Sequence, residues 1–173
     1  MSEQPRLKTP RHARCLMTQV VLPGDGNALG TAFGGRIMQW IDICAAVACQ
    51  RHSRTRVVTA SMDDLHFLAP IRVGMMVELR AQVNAAFRTS MEAGVRVESE
   101  DMVTGERIHA CTAYLTFVAQ DGNGASVPVP PLVLETDDDR RRHADAVQRR
   151  SGRLERVRIK RERLRAEQRG KAH

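Results

Sequence analysis

The sequence predicts an α+β domain: one long buried helix wrapped by a single curved antiparallel sheet, followed by a charged C-terminal helix. Three observations predict it. Residues 34–51 place apolar side chains at helical spacing and are apolar nearly all round, as a buried helix should be. Four later segments alternate apolar and polar residues with a period of two, the pattern of half-buried antiparallel strands. The resulting order of strand, helix and four strands is satisfied by one sheet curling around one helix.

Taken in order, residues 1–14 are polar and basic, contain two prolines and are expected to form a flexible arm. Residues 15–22 (CLMTQVVL) are rich in β-formers and predict a first strand. Residues 23–30 hold three glycines, a proline, Asp25 and Asn27, and must be loop. The helix follows, with Ile37, Met38, Ile41, Ala45, Ala48 and Cys49 at helical spacing. Its length of roughly 27 Å is enough to cross a small sheet.

The strands are predicted at residues 56–67, 75–87, 90–101 and 107–118. In the second of these, Val77, Leu79, Ala81 and Val83 oppose Glu78, Arg80, Gln82 and Asn84; in the third, Met91, Ala93, Val95 and Val97 oppose Glu92, Arg96 and Glu98. Turn residues separate them, from Ala69-Pro70 to Gly74 and at Thr104-Gly105. Residues 127–133 (VPVPPLV) are proline-stiffened, and Asp137 to Asp139 supply the N-terminal charges of a last helix. Val147, Leu154, Val157 and Leu164 give that helix a thin apolar stripe, so it is expected to lie solvated against the body. The domain organisation is therefore an arm at 1–14, a folded domain at 15–127, and a stiff segment with a basic helical tail at 128–173.

Composition narrows the function classes. At 173 residues with 42% apolar content the chain supports one domain with a real core, but only 3% of residues are aromatic. Base stacking on aromatic platforms is thereby disfavoured. The net charge of +7 is uneven: residues 1–136 carry 13 Lys and Arg against 13 Asp and Glu, and residues 137–173 carry 14 against 7. The neutral body argues against nucleic acid as a partner. Cys15, Cys44, Cys49 and Cys111 form no CxxC and no Cys/His pair at zinc-site spacing, so no metal is expected. No apolar stretch approaches membrane-spanning length and no signal-like segment opens the sequence, so a cytoplasmic protein that does not engage the membrane is expected.

The chemistry concentrates in PGDGNALGTAFGGRIMQWID, residues 23–42. Gly34 and Gly35 open the long helix, where the first N–H groups lack partners and lie at the positive end of the dipole. They either stabilise a developing oxyanion or simply permit tight helix–sheet packing. Asp42 lies between Ile41 and Ile43, so it either faces a cleft or is desolvated. It is a general base, a nucleophile, or a structural carboxylate that caps a backbone group or pairs with an Arg. Asn27 either donates to a carbonyl or water or merely shapes its turn. Asp42 lies about 12 Å along the helix from Gly34, beyond reach of Asn27 in the same chain; a two-fold dimer would bring Asn27 of one subunit near Asp42 of the other. His66 has no motif partner, and Asp63 and Asp64 are expected to be structural.

In these residues the chain resembles the cytosolic acyl-CoA hydrolases of the hotdog-fold superfamily. The resemblance rests on the PGDGN loop, Gly30-x-x-Phe33-Gly34-Gly35, Asp42, Arg51-His52, VVTASMD at residues 57–63, Phe67 with Pro70 and Gly74, RTSME at residues 88–92, and VPVPPLVLET. It covers about residues 16–142. It implies catalysis by Asn27 and Asp42, backbone donors at Gly34 and Gly35, and an acyl-CoA site lined by Thr31, Phe33, Thr59, Ala60, Ser61, Arg88 and Ser90. It implies no cofactor, coenzyme A being part of the substrate, and a homodimer that completes the active site, arranged as a trimer of dimers. Thr31 stands where relatives often carry Asn or Asp, and Phe33 where some carry His, so chain-length preference does not carry over. Hydrolysis of acyl-CoA thioesters is the expected function. The alternatives are hydration of enoyl-CoA, which usually wants an Asp/His pair, and a non-enzymatic acyl-CoA sensor whose basic tail binds a partner.

Overall fold

A computed structural model of the protein describes residues 8–170. In chain order the elements are α1 (Pro10–Ala13), β1 (Cys15–Val20), a 3-10 turn (Pro23–Asp25), α2 (Gly34–Ser53), β2 (Arg56–Met62), β3 (Met76–Ala86), β4 (Ser90–Glu100), β5 (Arg107–Gln120) and α3 (Asp137–Gly170). The five strands form one antiparallel sheet in the order β1-β3-β4-β5-β2. Register shifts between Thr59 and Ser61, Val83 and Ala85, and Val97 and Glu98 mark bulges, which bend strands and increase their twist. The sheet curls around α2, the arrangement of the hotdog fold.

Helix α2 turns Ile37, Ile41, Cys44, Ala45, Ala48 and Cys49 into the core, all fully or nearly fully buried. They meet the inward row of the sheet, which includes Val77, Leu79, Ala81, Val95, Ala113 and Leu115. Arg54 ends the helix in the left-handed conformation at φ 59° and donates its N–H to the Gln50 carbonyl at 2.8 Å. The expectation of a helix apolar and buried all round is corrected on one side. Met38 and Ile43 are exposed, because the sheet does not close over that strip of α2.

Three further expectations change. Residues 1–7 of the expected flexible arm lie outside the described residues, but residues 8–14 are built into the body. Lys8 bridges Leu132, Pro10 starts α1, and Ala13 is buried. Arg14 adds a bond from its Nε to Gln82 at 3.1 Å. Strand β2 ends at Met62 rather than residue 67, although Asp63 and Leu68 still donate to the Tyr114 and Ala110 carbonyls of β5. The outward faces of β3 and β4 are not uniformly solvated: Asn84 and Glu92 are buried.

Helix α3 covers that outer face. It begins with a reciprocal cap: the Asp139 N–H donates to Thr136 Oγ1 at 3.1 Å, and the Asp139 carboxylate accepts from the Thr136 N–H at 3.1 Å. The apolar stripe does not hold it, since Val147, Leu154, Val157 and Leu164 are all exposed. Arginines do. Arg149 and Arg153 reach Glu92 at 2.7 and 3.1 Å, and Arg153 also pairs with Asp63 at 2.5 Å. The Arg149 guanidinium stacks over Tyr114 at 3.6 Å and that of Arg150 over Phe87 at 4.2 Å. Glu92 itself has 0% exposure, so its charge is sustained by these guanidinium groups.

Replacing Glu92 with Gln strands two arginines against the sheet. Denaturant unfolding should show a loss of about 3 kcal/mol, as for a buried pair that loses one member. An unchanged midpoint would contradict this role for Glu92.

Candidate active site

The loop before α2 is fastened at both ends. Asp25 accepts the Leu22 N–H at 3.1 Å, pairs with Arg36 of the first helical turn at 2.7 Å, and accepts the Phe33 N–H on its carbonyl at 2.8 Å. Asn27 is exposed and committed to its own loop. Its Oδ1 accepts the Leu29 and Thr31 N–H groups at 2.9 and 3.3 Å, while its Nδ2 donates to Thr31 Oγ1 at 2.9 Å. These bonds shape the turn, with Thr31 as the partner that completes it, and they leave one Nδ2 hydrogen for a carbonyl or water. Gly30 supplies the positive φ of 73° that lets the chain double back.

Gly34 and Gly35 form the first turn of α2. Among the described residues neither N–H has an acceptor, and Phe33, at the N-cap, makes no side-chain cap. The Phe33 ring lies over Gly35, where an added Cβ would sit 2.6 Å from a ring carbon, and Phe67 approaches Gly34 within 3.5 Å of such an atom. At Gly35 a side chain would force the Phe33 ring aside, whereas the Phe67 distance at Gly34 is ordinary van der Waals contact. Beneath this turn lies a cavity of about 370 Å³, lined among others by Thr31, Gly34, Ile37, Phe67, Leu68 and Pro70. Two of its apolar lining residues are exposed, Leu68 at 65% and Phe67 at 46%.

Asp42 emerges on the uncovered strip of α2, half buried. Thr59 of β2 donates its hydroxyl to Asp42 Oδ1 at 2.6 Å. Asp42 is only half buried, and it does not line the cavity at the glycine turn. It is not paired with an Arg; its described partner is a hydroxyl, which leaves the second oxygen free for chemistry. Asn27 and Asp42 of one chain do not touch. The sequence pattern revealed Asp42 but not the hydrogen bond to Thr59, because the two residues are 17 positions apart and meet only when β2 packs beside α2.

Ala60, Ser61 and Ser90 line a second groove of about 490 Å³, between β2, β5 and α3. Arg88 is exposed and is not part of that lining; the cations there are Arg150, Arg153, Arg156 and Lys160 of α3. Residue-by-residue reading of the body missed them because they belong to the tail, where the only signal was its excess of positive charge. His66 is exposed, and Asp63 serves as the partner of Arg153. Among the described residues no group of three or more His, Cys, Asp or Glu could hold a metal, and no helix is long and apolar enough to cross a membrane.

Comparison with known proteins is consistent across sequence and structure. Residues 29–106 match the family model described as thioesterase superfamily. The chain is 42% identical over 156 residues to the uncharacterized acyl-CoA thioester hydrolase YkhA of Bacillus subtilis (strain 168), covering 90% of this chain and 91% of that one. It is 32% identical over 140 residues to the human cytosolic acyl coenzyme A thioester hydrolase, covering 80% of this chain but only 37% of that longer protein. The structure of a hexameric acyl-CoA thioesterase superposes with a TM-score of 0.83 at 39% identity, covering 86% of this chain and 96% of that one. The acyl-CoA hydrolase of Staphylococcus aureus, solved in complex with butyryl coenzyme A, coenzyme A and coenzyme A disulfide, superposes with a TM-score of 0.82 at 34% identity, covering 91% and 98%.

All four cysteines are free and buried. Burial pushes the Cys44 thiol up to about 12 and that of Cys111 up to about 11, and raises Cys49 as well, each mainly by desolvation. Since the thiolate is the reactive form, a thiol-disulfide reagent at pH 8 should label none of these three in the native protein and all of them after denaturation. Rapid labelling of Cys44, Cys49 or Cys111 in the native state would reopen a cysteine nucleophile.

Proposed function

The chain belongs to the thioesterase superfamily, and on that premise we propose that it hydrolyses acyl-CoA thioesters to a free fatty acid and coenzyme A. One observation carries the assignment to this site. A half-exposed aspartate on the uncovered strip of α2 receives a 2.6 Å hydrogen bond from Thr59, and the two glycine amides that open the same helix lack acceptors among the described residues. That is a positioned carboxylate together with a preorganised oxyanion site, the two components acyl transfer needs.

In the reaction, Asp42 either takes the proton of a water whose oxygen attacks the thioester carbonyl carbon, or attacks that carbon itself to give an anhydride that water then opens. The carbonyl oxygen becomes an oxyanion held by the Gly34 and Gly35 N–H groups. Collapse breaks the C–S bond, and the sulfur leaves as the coenzyme A thiol after taking up a proton. The apolar cavity at Phe67 and Leu68 suits the acyl chain. No cofactor is required, since coenzyme A is part of the substrate.

Each site is shared between two protomers. Gly34 and Asp42 are eight residues apart on one rigid helix, about 12 Å along its axis, so one carbonyl cannot touch both in the same chain. Asn27 is fixed near the helix start and makes no contact with Asp42. A two-fold axis would set Asn27, Gly34 and Gly35 of one protomer against Asp42 and Thr59 of its partner. Exposed Met38 and Ile43 on α2 and Val58 on the edge strand β2 give that contact apolar area. A hexameric relative supports three such dimers in a ring, and the human relative's cytosolic name supports a cytoplasmic location. The hydratase alternative is disfavoured, because His52 is bound to the Pro130 carbonyl and His66 has no described partner.

A hydrolysis screen over acyl-CoAs of increasing chain length tests the reaction and identifies the substrate together. Asp42→Asn should lower kcat on the best substrate roughly a thousandfold. Thr59→Val should lower it about tenfold with KM little changed, as loss of one hydrogen bond to a charged group. Full activity of Asp42→Asn would end this assignment. Single-turnover hydrolysis in heavy-oxygen water separates the two chemistries, since label enters Asp42 only if Asp42 attacks.

A further inference from the structure

Helix α3 is longer than the sheet it crosses. It contacts β3, then Arg149 reaches Glu92 of β4 and stacks over Tyr114 of β5, and Arg153 reaches Asp63 just past the end of β2. At Arg153 the helix has therefore arrived at the last strand of the sheet on that side. It runs on to Gly170, about 25 Å further at about 1.5 Å per residue. A strand takes up only about 4.8 Å of sheet width, so most of that length lies past the edge. From Leu154 to Arg165 every residue is exposed.

The face that α3 turns to the sheet does not stop at that edge. Ala146, Arg149 and Arg153, which hold the helix to the body, follow one another at intervals of three and four residues. The same row continues as Val157, Lys160 and Leu164, so all six side chains point the same way. Val157 and Lys160 still face β2 across an open groove, and Leu164 lies a further turn out. The opposite side of the helix is satisfied within itself, since Arg158 pairs with both Glu155 and Glu162. The row that the body uses thus extends beyond the body, exposed among the described residues.

We propose that the overhanging half of α3 is a brace between two copies of the chain. Val157, Lys160 and Leu164 of each copy pack on the outer face of the other, beside its β2, when the two β2 edges meet. The occupant follows from the edge. Strand β2 pairs with β5 alone, so its other side is open to another chain. Exposed Val58 on β2, with Met38 and Ile43 of α2, forms the apolar strip through which the shared site assembles in the reading above. A chain seated on that strip extends the sheet beneath the overhang. Its outer face offers the small side chains of Ser61 and Thr116, and the exposed carboxylate of Asp64 as a counter-charge for Lys160. Lengthwise pairing of the two α3 helices is disfavoured, because residues 154–165 carry six Lys and Arg against two Glu. The proposal rests on the two-fold dimer of the shared-site reading and adds to it a contact on the opposite face of the sheet from α2.

Sedimentation equilibrium of the full chain over a range of concentrations reads the contact without turnover. Val157→Gln together with Leu164→Gln changes side chains that are exposed in a single copy, so each subunit should fold as before. The dimer dissociation constant should nevertheless rise at least about tenfold. Ile159→Gln lies off the row on the same stretch of helix and should dissociate like the parent. Hydrogen exchange gives a second reading on the parent alone: amides of residues 157–165 should exchange rapidly in the dilute monomer and gain protection in the dimer. An unchanged dissociation constant in the double variant, or no gain of protection on dimerisation, overturns the brace. So does a double variant that dimerises like the parent and loses only a higher assembly, because the contact then belongs to a different copy. Failure of the dimer reading itself looks different: the parent stays monomeric at every concentration, and brace and shared site fall together.

Discussion

The contact between α2 and the concave face of the sheet places everything else. With 3% aromatic residues, the core is filled by small and branched side chains, and Cys44, Ala45, Ala48 and Cys49 let the helix lie close to the strands. Close packing fixes the helix in phase as well as position. Ile41 and Cys44 are fully buried, while Asp42 and Ile43 between them reach the uncovered strip. An ionised carboxylate one place earlier would lie in the core, unpaired and costly. At position 42 it reaches the boundary and finds the Thr59 hydroxyl of the adjoining edge strand. The same constraint puts the glycine turn at the other end of the exposed strip, too far away to act on the same carbonyl. On the proposed mechanism the rigid helix separates the two halves of the chemistry, and a second copy of the chain would reunite them.

A second constraint acts on the outer face of the sheet. A glutamate with no exposure must have its charge met, and Glu92 draws Arg149 and Arg153 onto β4. Those contacts, with Ala146 buried on the helix's own inner face and the guanidinium stacking over Tyr114, hold α3 in place of the weak apolar stripe. Helix α3 is therefore attached by polar side chains, and its orientation follows from where they are anchored. One consequence is the cationic wall facing Ala60 and Ser61.

Much of this was legible in the sequence, and the exceptions share a cause. Period and spacing found α2 and all five strands, with ends displaced by at most a few residues apart from the early stop of β2 at Met62. Asp42 stood out because a carboxylate between two isoleucines breaks a helical apolar pattern. Strand alternation assigned Glu92 and Asn84 to solvent because it records which face a residue is on and not what later chain covers that face. Thr59 was placed near substrate by resemblance, but its bond to Asp42 depends on packing between elements that local patterns do not encode. The excess positive charge of the tail was visible from composition; that part of it points into a groove was not. Residues 8–14 looked like an arm because polar composition does not reveal Ala13 packed into the core.

The central claim is that Asp42 of one protomer acts with Asn27 and the glycine turn of another. Subunit mixing tests it most directly: Asn27→Ala and Asp42→Ala proteins, each inactive alone, are dissociated, combined and reassociated, and acyl-CoA hydrolysis is followed. A shared site predicts that activity reappears in the mixture, because a mixed dimer holds one intact site and one doubly damaged site. The full account expects up to about half the parent dimer's rate per mixed dimer. No recovery in a mixture shown to contain mixed dimers would contradict it.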